Sequence, residues 1–578
     1  MRRDQIRKAL LALTVAAALA VTGCGPSILN EESTAAEETQ QEQEEVAIQD
    51  VESSAAPESE AAVTESAQEE AAPAAEVSEE EPAAEEPAEE AAAEDKAEPK
   101  GGPALSVEIG STCLSEYDEE SYVQLCSVTY STAMLSGGDE ARYPALQNTL
   151  ESKNEKARRN AESVFETLKS DVKTYEDPAD EYFMAYSDEM KYSVIRADDK
   201  IFSLGGTCWT FTGGAHGTSG FTSLNLDPET GRELSVRDIA ADPVALMDKM
   251  KEILAEKYPG LEANLVDSAD MVSEGIADLT AWTMGYDCFT MWFGPGQLGA
   301  YAEGSQVVSV PFAGNEALFN EKYLSIPDSY GFDLVERYAD LDVDGDGDLE
   351  HLELSPEAAE EGIGNIGDMK VSLDGNTVTE EDLDAFDFTP YIAHTGGKTY
   401  LYIEYSFIDD YSETTVYDLT GGTPVSTCRT RFREYVRYDQ ETQTGFRYAF
   451  TDPEYGVFGI RSDVLGTGTA YAYIHAGEDG VPTVDDGIYL VRNVPESPMT
   501  LKRDIEGDAV DPATMEVTGK IQLPAGLGVD PYRTDLETFV EITTEDGNLV
   551  RFEYTPGFPN YVNGIDTQEV FDNIMYAG

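Results

Sequence analysis

From Glu31 to Lys100 the chain is built almost entirely of Glu, Ala, Pro, Ser and Gln, with 25 acids, two lysines and no aromatic residue. Such a stretch has too little apolar surface to offset the entropy lost on ordering. Short Ala/Glu pieces favour helix, but Pro73, Pro82, Pro87 and Pro99 interrupt them. Self-repulsion extends the coil, and about 70 residues fully drawn out span roughly 230 Å. Residues 24–102 are therefore read as a disordered tether, long enough to carry a folded head through a thick cell wall.

The segment before the tether reads as an export signal. Arg2, Arg3, Arg7 and Lys8 precede an apolar run from Ala9 to Val21, long enough for a signal h-region and short for a spanning helix. Val21-Thr22-Gly23-Cys24 closes that run. A small Gly before Cys is the pattern a lipoprotein signal peptidase cuts once the sulfur carries diacylglycerol. Residues 1–23 are then a signal peptide and Cys24 the lipidated N-terminus. Its acyl chains supply a stable membrane anchor. The expected location is the extracellular face of a bacterial, Gram-positive cell membrane.

Charge narrows the partners. The 578 residues include 114 acids against 37 bases, a net charge of −77. Such a surface repels nucleic acid and anionic headgroups, and attracts cationic proteins and divalent metal. Nucleic acid is excluded as a partner. With Cys24 acylated, Cys113, Cys126, Cys208, Cys288 and Cys428 form an odd set, so no complete disulfide framework exists. Cys113 with Cys126, and Cys208 with Cys288, could bridge; their strand-like flanks favour buried free thiols.

Residues 103–325 read as a first folded domain. Tyr122 to Met134 alternates as a strand. Tyr143-Pro144 opens a helix in which Leu146, Leu150, Ala157, Ala161, Phe165, Leu168 and Val172 recur at helical spacing. Lys191 to Leu226 returns to strands, followed by an Asp227-Pro228-Glu229-Thr230-Gly231 turn. Asp242-Pro243 caps a second helix carrying Leu246, Met250 and Ile253, and Pro259 ends it. This mixed order predicts an α+β domain.

Two glycine-rich motifs flank the second helix. Gly213-Gly214-Ala215-His216-Gly217 is a small-residue loop with a His at its tip, and Leu298-Gly299-Ala300-Tyr301-Ala302-Glu303-Gly304 leads into the strand Val307 to Phe312. Together with the Asp227 to Leu234 hairpin they resemble a conserved extracellular domain of unknown function. That domain forms the outer part of the lysozyme-sensing anti-sigma factor of Gram-positive bacteria and precedes some peptidoglycan deacetylase domains. The resemblance covers about 200 residues. It implies an α+β fold and, in one member, binding of a cationic lysozyme. It points to Gly213, Gly214, His216, Gly217, Tyr301 and Glu303 as contact residues. The anti-sigma factor's transmembrane and sigma-binding segments are not found here, nor is a deacetylase domain, so only the binding role carries over.

Residues 326–578 read as a mainly-β region, with a subdomain break near 500–520. Asp342-Val343-Asp344-Gly345-Asp346-Gly347-Asp348-Leu349-Glu350, with Glu353 beyond, places carboxylates at alternating positions around glycine turns. The spacing satisfies the EF-hand loop. Its flanks favour instead a strand-loop-strand calcium site similar to those of integrin-type propeller repeats. Asp342, Asp344, Asp346 and Asp348 are expected ligands, with Glu350 or Glu353 closing the site around a structural calcium. Further on, Thr399–Ser406 and Thr414–Leu419 read as paired strands. Asp546-Gly547 marks a two-residue hairpin. Tyr400, Tyr402 and Tyr405 are read as ordinary strand formers rather than a sugar-stacking face.

No Gly-x-Ser-x-Gly elbow and no His-Glu-x-x-His motif occurs, so no catalytic residue is assigned. The expected function is a non-catalytic surface module binding a cationic, lysozyme-like protein or peptidoglycan. The alternatives are a cell-envelope polysaccharide hydrolase, or a structural, adhesive protein stiffened by calcium.

Overall fold

The computed structural model describes residues 104–173, 183–359, 364–408, 411–492 and 499–576. The signal peptide, Cys24 and the tether lie outside them. Strands in the order Val436–Asp439, Thr444–Tyr448, Val107–Tyr117, Gln124–Leu135, Tyr186–Ala197, Phe202–Phe211 and Thr218–Leu226 form a seven-stranded sheet. Gln124–Leu135 and Tyr186–Ala197 run parallel. A parallel pair needs a crossover, and the helix Pro144–Val172 supplies it. Pro144 opens that helix, and Leu146, Leu150, Ala161, Leu168 and Val172 are buried. They pack against Leu105, Val107, Ala133 and Leu204 at one end and Cys126, Val128 and Tyr130 at the other.

A second layer pairs the helix Pro243–Lys257 with the sheet of Ala281–Met284, Cys288–Phe293 and Gln306–Pro311. Asp242 caps the helix by accepting from the Ala245 N–H at 3.1 Å. Leu246, Met247, Met250 and Leu254 are buried with Trp282, Phe289, Met291, Val308 and Val310.

The α+β first domain expected from the sequence is corrected. Strands dominate the described residues, with 33 of them, and only Pro144–Val172 and Pro243–Lys257 exceed six residues among the α-helices described. The first large sheet also takes in Val436–Asp439 and Thr444–Tyr448, so hydrogen bonding crosses the boundary expected near residue 325. Helical spacing is audible in a single sequence, whereas strands buried on both faces lose their alternation. All six residues of Cys288–Phe293 are buried, which erases the period of two.

Beyond residue 325 the chain is sheet throughout. Tyr338–Leu341, Glu350–Ala358, Ile366–Leu373 and Asn376–Glu380 form one antiparallel sheet. Tyr330–Asp333, Asp387–Thr395, Lys398–Ser406, Ser412–Asp418 and Val425–Thr430 form another. Tyr391 and Tyr402 stack at 5.1 Å inside it, and Tyr405 donates to Glu380 at 3.0 Å. These tyrosines are core, with 3 % exposure or less at Tyr400, Tyr402 and Tyr405. The last sheet contains Ile505–Val510 and Val517–Leu523, inside the expected subdomain break. Its hairpin at Gly547 is wider than a two-residue turn. The Thr544 N–H donates to Asn548 O at 2.9 Å, the Gly547 N–H donates to Thr544 O at 2.8 Å, and Gly547 takes φ 78°. That is a three-residue loop whose Gly occupies the left-handed position.

Cys113, Cys126, Cys208, Cys288 and Cys428 are free thiols. Burial pushes the Cys126 thiol up to about 11 and those of Cys208 and Cys288 up to about 12, so none of these three is a thiolate near neutrality.

Candidate functional site

Three groups of polar residues stand out. The first is the acidic loop. Tyr338–Leu341 and Glu350–Ala358 pair antiparallel with Leu341 facing Glu350, so the loop joins two strands rather than two helices. Gly345 at φ 80° and Gly347 at φ 94° supply left-handed turns that fold the loop back on itself. Asp342 accepts from the Gly345 and Gly347 N–H groups at 2.7 and 2.9 Å, and Asp346 from Asp348 N–H at 2.9 Å. Buried Val343 anchors the loop: its N–H donates to Glu350 at 3.0 Å and its carbonyl accepts from Thr399 at 3.1 Å.

One carboxylate oxygen from each of Asp342, Asp344 and Asp346 falls within 4.8 Å of the other two. At that spacing each pair repels by about 1 kcal/mol even in bulk water. Hard oxygen donors on a solvent-facing loop suit a hard divalent cation. Glu350 lies at the loop's base, its pKa raised by burial and, less strongly, by Asp344, Asp342 and Asp346. Asp287 approaches from the strand connection before Cys288, pushed up to about 7 by burial and then by Asp342. Asp348 is exposed and outside the three-residue cluster. Glu353 is opposite Tyr338, three residues along the strand, and accepts from Ser355 at 3.3 Å.

The second group unites the two glycine motifs. The His216 ring stacks on Tyr301 with centroids 4.8 Å apart and planes at 22°. Gly217 O accepts from His216 Nδ1 at 2.9 Å and from the Tyr301 hydroxyl at 3.0 Å. Glycine is required at 217, because a Cβ there would lie 2.3 Å from the Trp209 ring. Gly213 and Gly214 take φ 92° and 99° at the exposed loop tip. Trp209 and Tyr301 remain 37 % and 41 % exposed, so His216, Tyr301 and Trp209 form an open aromatic surface. Glu303 is tied to its own turn: Oε2 accepts from Ala300 N–H at 2.6 Å, and a Cβ at Gly299 would sit 1.7 Å from it.

The third group escaped the sequence reading. Arg447 grips Asp333 with two N–H donors at 3.0 and 2.7 Å and reaches Glu434 at 2.6 Å. Asp333 also accepts from Val194 N–H at 2.8 Å, Glu434 from Phe450 N–H at 3.0 Å, and Glu404 from Glu434 N–H at 2.9 Å. This knot ties the first sheet to the region beyond residue 325. Burial, then Glu434, pushes Glu404 up to about 8. Its members run from Val194 to Arg447, a separation that local patterns do not reveal.

The histidines are dispersed. His351 Nδ1 meets Asp340 at 2.7 Å, His394 meets Thr399 at 3.0 Å, and His475 meets Asp485 at 3.2 Å. No described helix is long and apolar enough to cross a membrane.

No family model matches the chain, and no curated protein matches it. Solved structures similar to this chain include two from one family. One is a member of the DUF3298 family from Bacteroides fragilis, 15% identical, covering 38% of this chain and 96% of its own, with a TM-score of 0.27. The other is a DUF3298 family protein from Pseudomonas aeruginosa, 15% identical, covering 39% and 97%, with a TM-score of 0.27. At this level of likeness nothing about this chain rests on them.

Proposed function

We propose that this chain is a lipid-anchored surface protein whose head binds a cationic protein of the lysozyme type. The observation that carries the reading is the meeting of His216 and Tyr301, brought from two separate glycine motifs into one exposed aromatic surface. Two sequence-distant motifs held together by a shared carbonyl make a preorganised contact site, which lowers the entropy cost of binding. The net charge of −77 steers a basic partner towards it. The resemblance to the outer domain of the lysozyme-sensing anti-sigma factor supports the same partner class. Cys24 and the acidic tether would hold the head outside the cell.

Calcium belongs to this proposal as a structural ion. Asp342, Asp344 and Asp346 would hold it, with Glu350 nearest to completing the set. Bound there, it would remove the mutual repulsion of the loop and stiffen the strand pair.

The test is capture of lysozyme, and separately of purified peptidoglycan, by the full chain at low and high salt. Salt-sensitive lysozyme capture that falls at least ten-fold in a His216→Ala/Tyr301→Ala variant is expected. Capture of neither, or capture indifferent to both substitutions, refutes the reading. Replacing Cys24 with Ala should release the chain into the medium, and retention on the membrane would refute the anchor.

A further inference from the structure

Of the three tryptophans, Trp209 alone is open to solvent. It is 37 % exposed, against 2 % at Trp282 and 7 % at Trp292. Strand register fixes its neighbours. Trp209 pairs with Glu189 on one side and Ser219 on the other, so all three side chains project from one face of the seven-stranded sheet. Cross-strand partners stand with Cβ atoms about 4.5–5.5 Å apart, which places the Glu189 side chain beside the indole. Gly217 seats the ring: a Cβ there would lie 2.3 Å from one of its carbons, so the glycine backbone packs against the indole. The carbonyl of the same Gly217 holds His216 and Tyr301. Among the described residues no Lys or Arg lies over the Trp209 ring and no other ring stacks on it. Glu189 meets Lys191 at 3.1 Å, and with the lysine side chain 61 % exposed this is a weak surface pair that an incoming cation can displace.

We infer that the Trp209 face receives an arginine side chain of a cationic protein, with the guanidinium stacked on the indole and hydrogen-bonded to Glu189. The inference rests on the reading that this surface binds a basic protein, and it names the group that the surface grips. The face of an aromatic ring is negative, that of indole most of all, and it attracts a cation. A guanidinium is planar, so it can lie on the ring while its edge presents a fork of N–H donors to a carboxylate. An ammonium has no plane to stack and gives up more hydration. Ser219, small on the other flank, leaves room for the guest. The net charge of −77 favours cations and turns anionic guests away.

The experiment is titration of the full chain's tryptophan emission with hexa-L-arginine, and in parallel with hexa-L-lysine. The acidic tether holds no aromatic residue, so peptide bound there is silent. Hexa-arginine should change the emission saturably, and hexa-lysine should bind about ten-fold more weakly. Glu189→Gln should weaken hexa-arginine about ten-fold at an unchanged melting temperature. Trp209→Phe should abolish the signal, because Trp282 and Trp292 are buried. No saturable change in the unaltered chain, a change that Trp209→Phe retains, or binding that Glu189→Gln leaves intact overturns the inference. An equal response to both peptides overturns the arginine assignment. Lysozyme capture tells this inference apart from the broader reading. Capture undiminished by Trp209→Leu overturns the inference and leaves that reading standing, whereas saturable hexa-arginine binding with no lysozyme captured does the reverse. Should Glu189→Gln lower the melting temperature, capture by the Trp209→Leu variant decides the question.

Discussion

Two carboxylate clusters in this molecule solve the same problem in opposite ways. Asp333, Glu404 and Glu434 meet in the interior, where Arg447 bridges Asp333 and Glu434 and three backbone N–H groups from Val194, Phe450 and Glu434 complete the network. Asp342, Asp344 and Asp346 meet at the surface, and their hydrogen bonds come from the backbone of their own loop. A buried charge must carry its compensation within the fold, since isolated burial costs several kcal/mol. An exposed cluster can draw a cation from solution. The inner cluster therefore carries its own cation, and the outer one is where the proposed calcium would act.

Removing the built-in cation should have the largest effect. Arg447→Met leaves Asp333 and Glu434 unpaired in the interior and should lower unfolding free energy by about 3–5 kcal/mol in denaturant titration. A loss below about 1 kcal/mol would show that the inner cluster does not depend on its arginine. The outer cluster should answer next. If calcium fills it at a hundred-fold excess over its Kd, chelation removes about 2.7 kcal/mol. The Asp342→Ala/Asp346→Ala variant should melt at the same temperature with and without chelator. An unmodified chain that is indifferent to chelator would remove calcium from the account.

A pH titration sharpens the contrast. Burial, then Glu434, raises the folded Glu404 pKa to about 8, so the folded chain keeps a proton that the unfolded chain has already released. Its contribution is present below the unfolded value of about 4.3 and is lost as pH rises towards 8. Glu434, raised to about 7 by burial, loses its contribution over the same window, so the slope belongs to both groups. Glu404→Gln should flatten part of that slope, and an unchanged slope would place its origin in groups other than Glu404. The smallest effect is expected at the surface. Asp344→Asn relieves repulsion and should stabilise the metal-free chain by a few tenths of a kcal/mol, yet destabilise it when calcium is present. The same sign in both conditions would separate the loop from any cation.

The two clusters also differ in how far the sequence betrays them. The outer one is contiguous, so alternating Asp and Gly over nine residues exposed both its strand-loop-strand form and its convergence. It left open the choice between Glu350 and Glu353, and strand pairing puts Glu350 at the loop's base and Glu353 three residues further on. The inner one joins Val194, Asp333, Glu404, Glu434 and Arg447, and no local period links such positions. His216 and Tyr301 were each audible as parts of glycine motifs, while their stacking was not.

By itself the sequence determined where helices of useful length form, because Pro144–Val172 and Pro243–Lys257 carry apolar stripes, prolines at the first turn and, for the second, an Asp cap. It also determined the acidic turn, whose geometry depends on Gly345 and Gly347 a few residues from the acids they position. Tertiary structure alone decided that Val107–Tyr117 pairs with Thr444–Tyr448, and so which buried charges meet. Strand pairing is chosen by the free energy of burying whole faces against one another. That quantity belongs to distant segments jointly, and no segment records it alone.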